Sequence, residues 1–263
     1  SYFLSAGASE AQVAPSRETV SVTMPVAVAE ASLKTTLHFF GHNEREDVIV
    51  RASSGYALPA SIAADITMVG ELLLFPRLRS TSLEIPVSTG HGPGLWKNAC
   101  TSRSCRGLVT PAVLAKRYKL PQSNGSASSA ASTGNSVAVA ELQGQYFKPS
   151  DIAAFSKSCH RDVTVDKVIG GNHPSGGVEA ELDIEYIKSV AEEVPLTVVY
   201  NSDCSLLRWA EEITNMDEPV LVHSVSYGND EAQQTSEEYM LSCNTAHTKA
   251  GVQGISILTR DSH

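Results

Sequence analysis

The stretch SVAVAEL, residues 136–142, begins a regular alternation of apolar segments and amphipathic segments. Its small and β-branched side chains are typical of a buried strand, and PSDIAAFSKSC at 149–159 follows as a helix. Further strands are predicted at LTVVYN, VLVHSVSYG and ISILTR, with helices at VEAELDIEYIKSVA, SLLRWAEEITNM and EAQQTSEEYMLSCNTAHTKAG. This alternation predicts an α/β fold, in which helices cover both faces of a parallel sheet.

The carboxyl ends of the strands are where function collects in such sheets. The last predicted strand, ISILTR at 255–260, runs directly into the end of the sequence. A covered sheet that stops at a strand is unusual, so we expect this one to be incomplete.

The first part of the chain has a different texture. Residues 1–79 are expected to form a small α+β unit, with strands at ETVSVTMPV and TTLHFFGH and with PASIAADITMVGELLLF as a helix followed by an apolar segment. Residues 80–107 are rich in Ser, Gly and Pro and predict an exposed linker. A helix is predicted at TPAVLAKRYKL and a low-complexity loop at 121–136, after which the alternation of strands and helices begins. Residues 108–263 are therefore expected to form a third region of the chain.

Composition excludes several classes of protein. The 263 residues are 42% hydrophobic, enough for a sizeable core, and carry 29 acids against 20 bases for a net charge of −9. This balance argues against nucleic acid or an anionic membrane surface as a partner. No apolar run approaches the ~18 residues of a membrane span, and the first residues lack a signal-peptide pattern, so we expect the natural start to lie elsewhere.

The segment GGVEAELDIEYIKSVA, residues 176–191, carries four acids. At about 100° per residue, Glu179 and Asp183 fall inside the apolar arc of the predicted helix, whereas Glu181, Glu185 and Lys188 fall on the opposite, solvated stripe. Two carboxyls four residues apart and withdrawn from water titrate as a unit, which suits general acid–base chemistry. A structural pair or a metal site fits the same pattern.

Three segments together resemble the sedolisin family of serine-carboxyl peptidases. They are GGVEAELDIEYI at 176–187, SVSYGNDE at 224–231, and ILTRDSH at 257–263, which occupies the place of a Gly-Asp-Ser-Gly turn. In addition, LHFFGH to LLLFPRL resembles the end of the family's prosegment, and LVTPAVLAKRYKL resembles the start of the mature enzyme. The resemblance implies a subtilisin-like catalytic half at 108–263, a prosegment remnant at 1–79 and a cleaved linker at 80–107.

The resemblance also implies roles for single residues. Glu179 is expected to be the general base, Asp183 its hydrogen-bonded partner, and Asp261 a protonated carboxyl in the oxyanion hole, which restricts activity to acidic pH. Glu141 is expected to be a supporting carboxylate, with Tyr227 beside the pair or simply covering a strand end. The segment expected to bind substrate comprises Ser224, Ser226, Tyr227 and Gly228.

The chain departs from the family in several ways. The nucleophile belongs to a Gly-Thr-Ser motif expected well beyond Asp261, whereas Ser128, Ser132 and Thr133 lie upstream in the low-complexity loop and are interpreted as linker residues. The family's calcium loop near its C-terminus is also missing, so no cofactor or metal is predicted here. We therefore expect a peptidase of acidic pH that is inactive as this chain alone.

Two alternatives remain open. One is a non-catalytic, truncated relative that binds peptides or acts as a decoy. The other is a small-ligand α/β domain, which requires Glu179 and Asp183 to lie far from Asp261. For the peptidase, the implied partners are a peptide or protein substrate and its own prosegment as inhibitor, in a lysosomal or secreted setting.

Cysteines and histidines carry weaker signals. Cys100 and Cys105 are close enough in sequence for a local disulfide or remain two free thiols, and Asn124 heads a glycosylation sequon that matters only in a secreted chain. The segment SRSCRG, with Arg103 and Arg106, is typical of either a processing site or a polar linker. Neither a metal site nor a Cys-His nucleophile is supported by the spacing of His160, His173, His223, His247, Cys204 and Cys243.

Overall fold

The computed structural model describes residues 2–41, 48–75, 108–120, 134–173, 175–202, 205–228 and 236–259. The chain divides into two compact units. The first groups Ser1–Arg77 with Ser205–Pro219 and Asn229–Ala250. The second comprises Leu78–Cys204, Val220–Gly228 and Gly251–His263.

The N-terminal part of the first unit is a small α+β arrangement built on two antiparallel hairpins. Its elements are α1 (Tyr2–Ala6), β1 (Glu10–Val13), β2 (Val20–Thr23), α2 (Val26–Leu33), β3 (Leu37–Gly41), β4 (Val48–Ala52) and α3 (Ala60–Ala63). Leu33, Ala52 and Leu72 form its buried core. The sequence predicted β2 and β3, but not their partner strands or α2.

The helix predicted within residues 59–75 is wrong beyond its first turn. Only Ala60–Ala63 is helical. Beyond Ala63, backbone groups form hydrogen bonds with distant residues in place of helical ones. The Val69 amide donates to the Tyr56 hydroxyl at 2.9 Å, and the Leu72 carbonyl accepts from the Ala52 amide at 2.8 Å. Tertiary bonding to the end of β4 therefore overrides the helical pattern.

The second unit contains a five-stranded sheet in which all four pairings are parallel. In spatial order β6-β7-β5-β8-β9, the sheet consists of β5 (Val137–Leu142), β6 (Lys167–Ile169), β7 (Leu196–Asn201), β8 (Val222–Val225) and β9 (Ser256–Thr259). Every residue of β5 and β7 is buried, as expected for central parallel strands. The predicted α/β class is confirmed, although β6 was not predicted.

Two helices pack with the sheet to form a hydrophobic core. The helices of this unit are α4 (Pro111–Tyr118), α5 (Pro149–Cys159) and α6 (Val178–Val190). The core combines residues of β5, β7, α5, α6 and the connecting segments, namely Val137, Val139, Phe147, Ile152, Val163, Ile184, Leu196 and Val198. The carboxyl end of β5 lies beside the start of α6, because Gln145, three residues after β5, bonds the backbone amide of Glu179.

The buried stripe of α6 differs from the predicted one. The residues of this stripe are Ala180, Ile184 and Lys188, which expose only 0%, 0% and 3% of their surface. The sequence placed Lys188 on the solvated stripe, which is wrong. Its ammonium group donates to the Val194 carbonyl at 2.8 Å and contacts Asp166 at 3.3 Å, so the apolar stem packs inside while the charge keeps its partners.

The first unit also includes α7 (Leu206–Thr214) and most of α8 (Glu237–Val252). The turn between β1 and β2 contacts both helices. Thr19 Oγ1 donates to Glu211 at 2.6 Å, and Glu18 forms an ion pair with Lys249. Within the described part of the chain, no helix is both long and apolar enough to cross a lipid bilayer.

Candidate active site

A buried carboxylate and a tyrosine meet at the carboxyl edge of the sheet. Glu141 is the penultimate residue of β5, and Tyr227 follows the end of β8 by two residues. Because the two strands are parallel neighbours, their ends lie at the same edge. Tyr227 donates a hydrogen bond of 2.9 Å from its hydroxyl to Glu141 Oε2. The two side chains expose only 2% and 1% of their surface.

Glu179 lies in the first turn of α6, close enough to Tyr227 for its charge to act on the phenol. Burial, together with the negative charges of Glu141 and Glu179, raises the pKa of Tyr227 far above its ordinary value. The phenol therefore keeps its proton at acidic and neutral pH and donates a hydrogen bond to Glu141. The charge of Glu179 thus acts on the same tyrosine that bonds Glu141.

Asp183 follows Glu179 by one helical turn on the same side of α6. Both side chains are half-buried, and they flank the buried stripe of Ala180, Ile184 and Lys188. Two carboxyls in this arrangement share a partly dry environment, where proton transfer between oxygen atoms is chemically useful. Their assigned roles as base and partner stay predictions.

The predicted solvated stripe of Glu181 and Glu185 is wrong. Both side chains are half-buried on the other flank of α6, where α5 packs. Burial and the charge of Asp151 raise the pKa of Glu181. Burial, followed by the charges of Glu181 and Asp151, raises the pKa of Glu185 to about 8. Helical angles alone do not reveal this, because the position of a neighbouring helix is not encoded in the angle.

The predicted substrate segment has mixed accessibility. Ser224 is half-buried within β8, Ser226 is buried with 6% exposure, and Gly228 is exposed. Only part of this segment is therefore open to a peptide. Its binding role remains a prediction.

Several predicted residues lie outside the described part of the chain. They are Asp261, Cys100, Cys105, Asn124, Arg103, Arg106, Cys204, Ser128, Ser132 and Thr133. Cys159 and Cys243, which the structure does describe, are free thiols.

Metal binding finds no support among the described residues, which contain no group of three or more His, Cys, Asp or Glu side chains suited to a metal ion. His160 and His173 are exposed. His223 is buried within β8, where its Nε2 lies 2.8 Å from the Val220 carbonyl oxygen, and burial lowers its pKa. His223 is therefore a core residue of the sheet.

Two residues of this region were missed by the sequence analysis. Gln145 follows β5, and its side-chain oxygen accepts a hydrogen bond of 3.4 Å from the backbone amide of Glu179. Asn172 precedes α6, and its side chain bonds both backbone groups of Phe147. The signal that points to them is the polar side chain in each loop at a strand end, but the partner of such a side chain cannot be read from sequence.

Comparison with known proteins gives the family. Residues 1–75 match the pro-kumamolisin activation domain. Tripeptidyl-peptidase 1 of Rattus norvegicus is 30% identical over 270 residues, a match that covers 98% of this chain. The chain belongs to the sedolisin family. Tripeptidyl-peptidase 1 of Bos taurus and of Homo sapiens each show 29% identity, again over 98% of the chain.

The sedolisin match extends over only part of those relatives. The chain covers 45% of the length of the rat, bovine and human proteins. The family assignment rests on both the activation-domain segment and the sheet-forming segment.

Proposed function

We propose that this chain forms part of a serine-carboxyl peptidase that hydrolyses peptide bonds at acidic pH. The observation that carries the proposal is the convergence of Glu179 with the Glu141–Tyr227 pair at the carboxyl edge of a parallel sheet. The relatives named tripeptidyl-peptidase 1 support release of tripeptides as the reaction.

In the proposed mechanism, Glu179 accepts the proton of a serine hydroxyl as the serine oxygen bonds to the peptide carbonyl carbon. Asp183, one turn along the helix, holds and tunes that carboxyl. Asp261, in its protonated form, donates to the developing oxyanion. Glu179 then gives that proton to the peptide nitrogen, which leaves as the amine while the carbonyl carbon stays bound to the serine oxygen as an acyl-enzyme. Water attacks this ester as Glu179 takes up one of its protons, the acid is released, and the proton returns to the serine oxygen. Glu141 and Tyr227 stabilise the strand end beside the base.

The nucleophile is expected from a Gly-Thr-Ser segment, a tripeptide that does not occur in the 263 residues. We therefore expect these residues alone to show no hydrolysis. Residues 1–79 are proposed to act as the inhibitory prosegment, 80–107 as the linker cleaved on activation, and 108–263 as catalytic-domain sequence. A lysosomal or secreted location follows from the same proposal.

The test compares the 263 residues with a longer product of the same transcript that carries a Gly-Thr-Ser segment. Release of a fluorophore from a tripeptide with a free N-terminus is measured from pH 3 to 7, a range that spans the ordinary pKa values of carboxyls. We expect activity only in the longer product, only at the acidic end, and its loss in Glu179→Gln and Asp183→Asn.

The matched control is Glu218→Gln, because Glu218 is an exposed glutamate outside the site. Full activity of Glu179→Gln would contradict the proposed base. If the longer transcript lacks such a segment and the chain still binds peptides, the non-catalytic relative is the better description.

A further inference from the structure

The loop between β6 and α6 is fastened to the loop that follows β5. The side chain of Asn172 makes two bonds to the backbone of Phe147, donating from Nδ2 to the carbonyl at 3.1 Å and accepting from the amide at Oδ1 at 3.3 Å. Phe147 itself belongs to the hydrophobic core between the sheet, α5 and α6, with 8% exposure. The loop before α6 is therefore anchored to a residue that is buried in this core.

A second fastening acts directly on the helix that carries Glu179. The N-cap residue of α6 is Gly177, which has no side chain to accept from the first amides of the helix. Gln145 supplies the missing oxygen, because its Oε1 accepts from the Glu179 amide at 3.4 Å. The cap of α6 thus comes from a distant loop.

The space around this contact is closed. A Cβ atom on Gly177 would lie 2.3 Å from Gln145 Oε1 and 3.0 Å from the Gln145 Cα atom. A Cβ on Gly176 would lie 2.7 Å from the side chain of Lys148. The two glycines therefore allow the loop after β5 to approach the start of α6 more closely than side chains would permit.

We propose that Gln145 and Asn172 are positioning residues that hold the first turn of α6, and with it Glu179, against the Glu141–Tyr227 pair. The catalytic meaning of this position rests on the proposed function. The positioning role itself does not rest on the proposed function, because it concerns only the place of the Glu179 carboxyl in the fold. Gln145 acts on the helix end, and Asn172 acts on the loop that leads to it, so each can be removed separately.

The test measures the accessibility of individual carboxyls in the full 263-residue chain. Carbodiimide coupling to glycine ethyl ester at pH 6 labels carboxyl groups, and peptide mass spectrometry separates Glu179 from Glu185. These two residues lie on the same helix but on opposite flanks of its buried stripe. Glu185 therefore serves as an internal reference for general loosening of α6.

In Gln145→Ala we expect labelling of Glu179 to rise about fivefold, while labelling of Glu185 is unchanged. The reason is that loss of one helix cap raises the population of the frayed helix end by about this factor. Asn172→Ala is expected to act in the same direction. Gln145→Glu keeps an oxygen acceptor and should restore the low labelling of Glu179. Asn244→Ala, at an exposed asparagine of α8, is the matched control and should change neither site.

The proposal is overturned if Glu179 labelling is unchanged in both alanine variants. It is also overturned if Glu179 and Glu185 rise together, because that pattern indicates general loosening without a positioning role. Because the assay requires no hydrolysis, the two proposals fail separately. The expected labelling, together with no peptidase activity in the longer product that carries a Gly-Thr-Ser segment, would contradict the proposed function and leave the positioning role intact.

Discussion

The hydroxyl group of Tyr227 donates a 2.9 Å hydrogen bond to Glu141 across 86 positions of sequence. Both side chains are almost inaccessible to solvent. A carboxylate withdrawn from water is stabilised by donors that replace its hydration. The bond therefore ties the end of β5 to the segment that follows β8, where the candidate site lies.

Tyr227→Phe removes that donor without changing the ring. We expect the free energy of unfolding to fall by about 1–3 kcal/mol, the usual result of removing one partner of a buried hydrogen bond. Urea denaturation at neutral pH measures it. Tyr118→Phe is the control because Tyr118 is 69% exposed. Equal stability of Tyr227→Phe and the parent chain would contradict the role of the bond.

Glu185 is expected to make the protein more stable in acid. Its pKa is raised to about 8 from 4.5, so the folded state holds a proton that the unfolded state releases. The stabilisation is complete below about pH 4.5 and is lost as the pH rises through about 8. Because the side chain is only half-buried, solvent screening reduces the effect to about 1–2 kcal/mol.

The variant Glu185→Gln keeps the shape and cannot titrate. We expect it to melt at a higher temperature than the parent chain at pH 8 and to show a flatter pH dependence. Glu218→Gln, at an exposed position, should follow the parent curve. Identical curves for Glu185→Gln and the parent would refute the assignment.

His223 is expected to act in the opposite direction. Burial lowers its pKa below 6.5, so the unfolded state binds a proton more readily than the folded state. Its contribution is fully present above pH 6.5 and is lost as the pH falls towards the lowered pKa. His223→Gln cannot take up this proton, so its stability should decline less than that of the parent chain between pH 6.5 and 4.5.

Thermal melting at several pH values measures the effect of His223→Gln. His38→Gln is the control, because His38 is exposed on β3. A decline in acid that is the same in His223→Gln as in the parent chain would show that His223 is not responsible.

Gly170 and Gly171 form a matched pair for testing close packing. Both have positive φ angles, of 82° and 89°. A Cβ atom on Gly170 would lie 1.9 Å from the carbonyl oxygen of Tyr200, whereas nothing lies within 4 Å of one on Gly171. Each change to alanine strains the backbone, but only the first forces β7 and the loop apart.

We expect Gly170→Ala to lower the free energy of unfolding by about 1–3 kcal/mol more than Gly171→Ala, the range found for overpacking a close contact. Urea denaturation of the two variants gives the difference. Equal losses would show that backbone strain, and not contact with Tyr200, decides the effect.

Local patterns predicted much of the second unit. The helix predicted at 149–159 coincides with α5, and the strand LTVVYN coincides with β7, because apolar periodicity and length both report local structure. Sequence patterns failed to predict secondary structure where hydrogen bonds to distant residues determine it. The segment after Ala63 has a helical composition, yet its Val69 amide donates to the Tyr56 hydroxyl and its Leu72 carbonyl accepts from the Ala52 amide at the end of β4. The three residues of β6 are too few to form a pattern.

The sequence by itself determined the α/β class, the chain positions of the acids, and the likeness to the sedolisin family, since each depends on residue order and local periodicity. Only the tertiary structure decided which surroundings those acids have. Lys188 and Glu185 lost their predicted exposure because the core and α5 cover them. Gln145 reached Glu179 because parallel strands bring loops 34 residues apart to one edge. Burial and charge depend on neighbours in space, which periodicity along one helix does not specify.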